Sequence, residues 1–298
     1  EMIAALGMPE RLFPEIVLPG SRKYPILQKV LPGSVYYVPV ASHDTASAVT
    51  TLTLGADEMF CSSGTWSIIG AESDRPDTSE MAQLHNFSNE GTVDGRWRVQ
   101  KDVMGMWCMQ NLFRKAMAAQ PELTWDEVVR EAETAEPFRS IVNLEEPAFT
   151  SDADPAELVR RYCEATGQPV PWTLGQMARC IYESMALRYA QTIRELRSIT
   201  GRTYRKLRIV GGGAKNMLLG QMTADATQIR LECGPYESAC AGNILMQAVA
   251  DGQIRKEDFP SILRVSFRPT VILPQPEAEI LWEPAIKRYQ TYCEHTYL

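Results

Sequence analysis

The stretch Leu207-Arg208-Ile209-Val210 runs without a break into Gly211-Gly212-Gly213, and a helical pattern over about 216–227 follows. The first four residues read as a strand, so the glycines fall at a strand-to-helix junction. Without Cβ atoms, a neighbouring backbone or a flat ligand can lie directly on the chain there. The helix start adds free N–H groups and a positive dipole end. Such a junction belongs to an α/β protein. It serves close helix-on-sheet packing, or it receives a phosphate or an aromatic ring. A dinucleotide site is a sharper rival, because Gly211-x-Gly213 follows a strand and Glu232 ends the next one, Ile229-Arg230-Leu231-Glu232, where an acid would hold a ribose. Two features oppose it. The sixth position of that fingerprint is Asn216 rather than Gly or Ala, and the motif comes late, after an unrelated hairpin region.

Residues 1–35 carry Pro9, Pro14, Pro19, Pro25 and Pro32 and read as a lead-in, not a core. Val35-Tyr36-Tyr37-Val38-Pro39-Val40 has the composition of a strand, and the small residues Thr45-Ala46-Ser47-Ala48-Val49 suit a helix. Asp44 therefore sits where a strand gives way to a helix. Met59-Phe60-Cys61 and Trp66-Ser67-Ile68-Ile69 read as two strands around the turn Ser62-Ser63-Gly64-Thr65. A second hairpin turns at Asp94-Gly95, between Val93 and Trp97-Arg98-Val99. From Val103 to about Arg161 the pattern is helical, interrupted near Pro137 and Pro147. Thr173 and Gln176 form a capping box for a long helix with Leu174, Met177, Ile181, Met185, Tyr189, Ile193 and Leu196 on one stripe, ended by Gly201. A further helix spans 238–250. The elements predict an α/β domain with a mixed sheet.

A length of 298 residues with 45% hydrophobic content supplies ample core. The net charge of −7 and the absence of any basic block exclude a nucleic-acid surface. A small polyanion can still be held by backbone N–H groups and a metal. No run approaches the ~20 apolar residues of a membrane span, and position 1 is Glu, which suggests part of a longer chain. Seven cysteines without CxxC or His pairing argue against zinc and a disulfide framework, and for a reducing cytoplasm. A helical hairpin around Gly167 can bring Cys163 to Cys180, as a pair or as two free buried thiols.

Three places can carry chemistry. The glycine triplet is one. The turn at 62–65 offers glycine for close approach and hydroxyls for a phosphate, a weak signal until it is paired with a second glycine-rich loop. Asp44 either projects a carboxylate into a cleft or caps the helix that follows. His43, a lone histidine, reads as structural.

Taken in order, Ala41-Ser42-His43-Asp44-Thr45-Ala46-Ser47-Ala48-Val49, Ser62-Ser63-Gly64-Thr65-Trp66-Ser67-Ile68-Ile69-Gly70, Gly211-Gly212-Gly213-Ala214-Lys215-Asn216, Leu218-Leu219, Gln221, Ala224-Asp225, Gly234-Pro235 and Gly242-Asn243 resemble the FGGY carbohydrate kinases. The likeness covers nearly the whole chain but only the C-terminal part of such an enzyme, and its first motif is most similar to the members acting on L-rhamnulose. It implies an actin/hexokinase-like (ribonuclease H-like) α/β fold with a mixed sheet and flanking helices. Residues 1–35 would end a preceding N-terminal domain, and 36–298 would form the C-terminal ATP-binding domain. The implied reaction is transfer of the ATP γ-phosphoryl, with Mg²⁺, to the C1 hydroxyl of a ketose. Asp44 would be the general base, with His43 and Thr45 beside the sugar. Gly64 and Thr65 would face the phosphates. Gly211, Gly212, Gly213 and Asn216 would line the adenosine pocket, and Gln110 would also touch nucleotide. Where the L-rhamnulose members have Lys-Asn, this chain has Lys101-Asp102, which places a negative charge at a sugar position and leaves L-fuculose or D-xylulose open. The isolated chain, without its N-terminal partner domain, is expected to be inactive. An NAD-dependent oxidoreductase and a non-catalytic nucleotide- or sugar-binding module are the readings from other classes.

Overall fold

The computed structural model describes residues 2–26 and 35–298. It opens with a single turn, α1 (Met2–Ala5), and a small antiparallel ladder of β1 (Tyr24–Pro25) against β2 (Tyr36–Tyr37). Among described residues up to 26 only Gly20 is buried, so this part is indeed not a core; Pro32 lies outside the described residues. Gly20, at φ 72°, sets its bare Cα against Met246 and Val249. The strand expected over 35–40 shrinks to Tyr36–Tyr37, because Pro39 has no N–H to extend a ladder. Asp44 thus follows a bend rather than the end of a sheet strand.

The body is one seven-stranded mixed sheet. Along the chain come α2 (Asp44–Thr50), β3 (Glu58–Ser63), β4 (Trp66–Ser73), α3 (Glu80–Leu84), β5 (Ser88–Gly91) and β6 (Trp97–Met104). The helices α4 (Trp107–Ala119), α5 (Trp125–Thr134), α6 (Pro155–Ala165) and α7 (Leu174–Thr200) follow. Then β7 (Lys206–Val210), α8 (Met217–Thr227), β8 (Arg230–Cys233), α9 (Ser238–Ala250), α10 (Phe259–Ser266), β9 (Thr270–Ile272) and α11 (Ala278–Cys293) complete it. The strand order is β5-β6-β4-β3-β7-β8-β9. The pairs β5/β6, β6/β4, β4/β3 and β8/β9 are antiparallel, and β3/β7 and β7/β8 are parallel.

Alternation along the strands sorts two layers. Met59, Cys61, Leu207 and Ile209 face the large core beneath α7, α8 and α11. Phe60 and Val210 face a smaller core with Ala48 and Val49 of α2. On that second face Glu58 stands opposite Lys206, and Arg208 opposite Glu232, in ion pairs of 2.6 and 3.3 Å. Glu232 also meets Lys206 and Arg230. It belongs to a cross-strand charge ladder and is not free to hold a ribose, and an antiparallel meander forms half the sheet. Both facts oppose the dinucleotide reading.

Most expected elements form. Thr173 and Gln176 make the capping box of α7, and Gly201 ends it at φ 65°. The helical expectation from Val103 is corrected at its start, since Val103 and Met104 finish β6. It is corrected again over 135–154, where no α-helix forms and a 3-10 turn, Pro147–Thr150, stands between two loops. The turn after α6 brings Cys163 and Cys180 into side-chain contact as free, buried thiols. Beyond Ala250 the sequence reading assigned nothing, and the structure places α10, β9 and α11 there.

Candidate active site

The turn between β3 and β4 is held from three sides. The Gly64 N–H donates to the Trp66 carbonyl at 2.9 Å. The Met106 and Trp107 N–H groups donate to the carbonyls of Gly64 and Thr65, at 2.9 and 3.1 Å. A Cβ on Gly105 would strike the backbone of Gly64, Thr65 and Trp66, so only glycine lets β6 finish so close to the turn. Thr65 remains exposed, and its Oγ1 donates to Gln110 Oε1 of α4 at 3.3 Å. Two expected nucleotide contacts, 45 residues apart, are thereby neighbours.

The glycine triplet backs onto the same turn. A Cβ on Gly211 would meet the Ser63 carbonyl, and one on Gly213 the Ser63 side chain. Gly211 has φ 86°, a left-handed value that favours glycine. Gly212 is exposed with open space where a Cβ would stand. After the 3-10 turn Gly212–Lys215, Asn216 caps α8, its Oδ1 accepting the Leu219 N–H at 3.0 Å. The outer glycines serve packing, and the middle one bares backbone to the cleft.

Asp44 is not the cap of its helix. His43 holds that position, with Nδ1 accepting the Ala46 N–H at 3.4 Å. Asp44 is the first helical residue; its Oδ1 accepts the Thr45 N–H at 2.8 Å, and its side chain is 90% exposed. Thr45 itself is buried, so its side chain packs under the helix. α2 is anchored from behind by α9, where a Cβ on Gly242 would collide with the Ser47 carbonyl.

The hairpin β5/β6 brings in residues that the sequence reading passed over. On β6 the even positions Arg98 and Asp102 lie on one face and Lys101 on the other. Lys101 forms a buried pair with Glu195 of α7 at 2.9 Å. Arg98 stands opposite Glu90 of β5. One oxygen of Glu90, Oε2, receives both Arg98 Nη2 at 2.7 Å and His43 Nε2 at 2.8 Å. Asp102 is close enough to feel this carboxylate. Burial raises its pKa first, and the Glu90 carboxylate raises it further. The strand carrying Asp102 ends at the corner that pins Gly64 and Thr65, so β6 ties the acidic cluster to the phosphate-type turn. Among the described residues no group of three His, Cys, Asp or Glu side chains is arranged to hold a metal.

A mixed sheet between helix layers, with a strand-to-helix glycine loop set against a hairpin turn, is consistent with an actin/hexokinase-like fold. Residues 59–250 match the FGGY family of carbohydrate kinases, C-terminal domain. The chain belongs to that family. It is 38% identical over 258 residues to a rhamnulokinase of Bacteroides thetaiotaomicron, covering 85% of this chain and 52% of the relative. To a rhamnulokinase of Enterobacter sp. it is 38% identical over 245 residues, 82% of this chain and 49% of the relative. It therefore spans about half the length of these curated relatives. Its fold matches a xylulose kinase from Rhodospirillum rubrum at a TM-score of 0.69 and 16% identity, over 97% of this chain and 58% of that one. A gluconate kinase from Lactobacillus acidophilus matches at 0.66 and 17%, over 98% and 58%.

Proposed function

We propose that this chain is the base- and nucleotide-bearing part of an ATP-dependent sugar kinase that phosphorylates L-rhamnulose at its C1 hydroxyl. The observation that carries the reading is the division of labour at the start of α2. Because His43 takes the capping role, the Asp44 carboxylate is left exposed on the cleft side. In this reading the C1 oxygen attacks the γ-phosphorus in line, the bond to the β-bridging oxygen breaks, ADP leaves, and the hydroxyl proton passes to Asp44. A carboxylate is a weak base, so the proton departs late in the attack. The hydroxyl of Thr65 and the backbone of its turn meet the phosphates. The open face at Gly212 receives adenosine, flanked by Gln110 and Asn216. Asp102 lies where a sugar hydroxyl can donate to it, and a change of ketose to L-fuculose or D-xylulose would be felt there. Mg²⁺ neutralises charge on the transferring phosphoryl group. The ion would be carried by the nucleotide phosphates, and the exposed Asp44 carboxylate is a residue that could meet it.

The roughly half of each relative not matched by this chain would supply the opposing wall and the rest of the sugar site. No helix among the described residues is long and apolar enough to cross a membrane, and all seven cysteines are free thiols, which suits a reducing cytoplasm. The test is Asp44→Asn in the full-length protein. Turnover should fall by about 10²–10⁴-fold, the usual worth of a general base, with ATP affinity kept. Retained turnover would remove Asp44 from that role.

A further inference from the structure

We propose that Glu90 is a positioning residue for the base, acting through His43 and anchored by Arg98; this rests on the reading of Asp44 given above. The relay begins with a buried guanidinium. The Arg98 side chain is 3% exposed, and β5/β6 pairing sets it directly opposite Glu90. A charge in that position has to be matched, and Glu90 Oε2 matches it at 2.7 Å. The same oxygen takes His43 Nε2 at 2.8 Å, while His43 Nδ1 accepts the Ala46 N–H. An amide N–H can only donate, so Nδ1 carries no proton and the imidazole proton resides on Nε2, directed at Glu90. Glu90 thus holds the ring in the orientation that lets Nδ1 cap the helix.

That choice bears on the next residue. Aspartate is among the strongest N-caps, and histidine is not. With Glu90 removed, nothing pins Nε2, the ring is free to rotate, and the 3.4 Å bond from the Ala46 N–H to Nδ1 is lost. The helix start can then slip by one residue, and the Asp44 carboxylate, which takes only the adjacent Thr45 N–H in the structure, turns onto the N–H groups of Ala46 and Ser47 as a cap. Glu90 keeps the base from becoming its own cap. Both ring nitrogens of His43 are committed within the chain, which fixes the ring beside Asp44.

The test compares Glu90→Ala, Glu90→Gln and Asp44→Asn in the full-length protein, with His43 also changed to Asn. A misaimed base costs on the order of 10²-fold in kcat, so Glu90→Ala should lose about that much with KM for ATP unchanged. Glu90→Gln keeps an acceptor oxygen and should restore most of it. In a His43→Asn background, where Asn caps α2 by itself, Glu90→Ala should cost nothing further. Nitrogen chemical shifts of His43 should report a fixed Nε2–H tautomer with Nδ1 accepting in the parent and in Glu90→Gln, and shifts averaged over both ring nitrogens in Glu90→Ala. Unchanged kcat in Glu90→Ala, an equal loss in the His43→Asn background, or an unchanged tautomer would each overturn the proposal. If Glu90→Ala does not fold, the absence of the Nε2–H tautomer in the parent and in Glu90→Gln is the overturning result. If Asp44→Asn keeps its turnover, the reading of the base fails, and the tautomer still decides whether Glu90 sets the cap.

Discussion

The three glycines at 211–213 do different work, and single methyl groups separate their roles. Gly213 packs on Ser63, so Gly213→Ala must push the turn between β3 and β4 away. Overpacking of this kind costs about 1–3 kcal/mol, and the melting temperature of the variant should fall accordingly. Gly212 has open space where its Cβ would go. Gly212→Ala should melt close to the parent while its ATP Kd, read by calorimetry, rises about tenfold, roughly 1.4 kcal/mol of lost binding. If the two variants exchange behaviour, with Gly213→Ala silent in stability and Gly212→Ala destabilised, the assignment of packing and ligand faces is wrong. The sequence exposed the triplet but not this partition, because which glycine meets Ser63 depends on the register of β3 against β7. The same holds for Asp44. Local sequence leaves cap and base equally open, and only the relay from Arg98 through Glu90 to His43, spread over 55 residues, decides that His43 is the cap.

Elements with strong local signals were legible in the sequence. The capping box of α7, Gly201 behind it, the Asp94-Gly95 hairpin and α9 all form where their residues place them. What escaped were elements defined by tertiary contact: the two-residue ladder β1/β2, the irregular path over 135–154, and the short edge strand β9. Glu90 could have been found, since the hairpin turn sets it across from Arg98, but nothing local connects that pair to His43. The long helix α7 carries a buried acid that should show itself in pH dependence. Burial raises the Glu183 pKa from 4.5 to about 7, against the pull of Arg179 and the Phe138 N–H. Between those values the folded chain holds a proton that the unfolded chain has released. Stability from this group is therefore complete below pH 4.5 and is lost as pH rises toward 7. The swing is on the order of 3 kcal/mol at 1.36 kcal/mol per unit. Glu183→Gln keeps one acceptor oxygen, for either the Phe138 N–H or Arg179, and cannot titrate. Its melting temperature relative to the parent should climb between pH 5 and pH 8, and a constant difference across that range would show that Glu183 is ionised throughout.

At the scale of the molecule, several of the candidate site residues are open to solvent among the described residues. The Asp44 side chain is 90% exposed, Thr65 and Gly212 are open, and Glu90 is half-buried. The stretch before α2 adds bare apolar side chains, with Ile16 97% exposed and Leu12, Phe13 and Leu18 also uncovered. Apolar surface of that extent marks a place where another body packs. Phosphoryl transfer gains most of its rate from positioning and from water exclusion, and both require a closed cleft. In the proposed reading one wall would hold ATP by part of its contacts and would not exclude water from the γ-phosphate. The 298-residue chain alone should thus bind ATP more weakly than the full-length protein and release no ADP in response to L-rhamnulose, with Asp44→Asn making no difference in that context. Coupled-assay ADP release and calorimetry on both forms provide the check. Sugar-dependent turnover by the isolated chain would mean that a complete site is assembled from this half, whether within one chain or between two copies, and the opposing wall would have to be sought among its own residues.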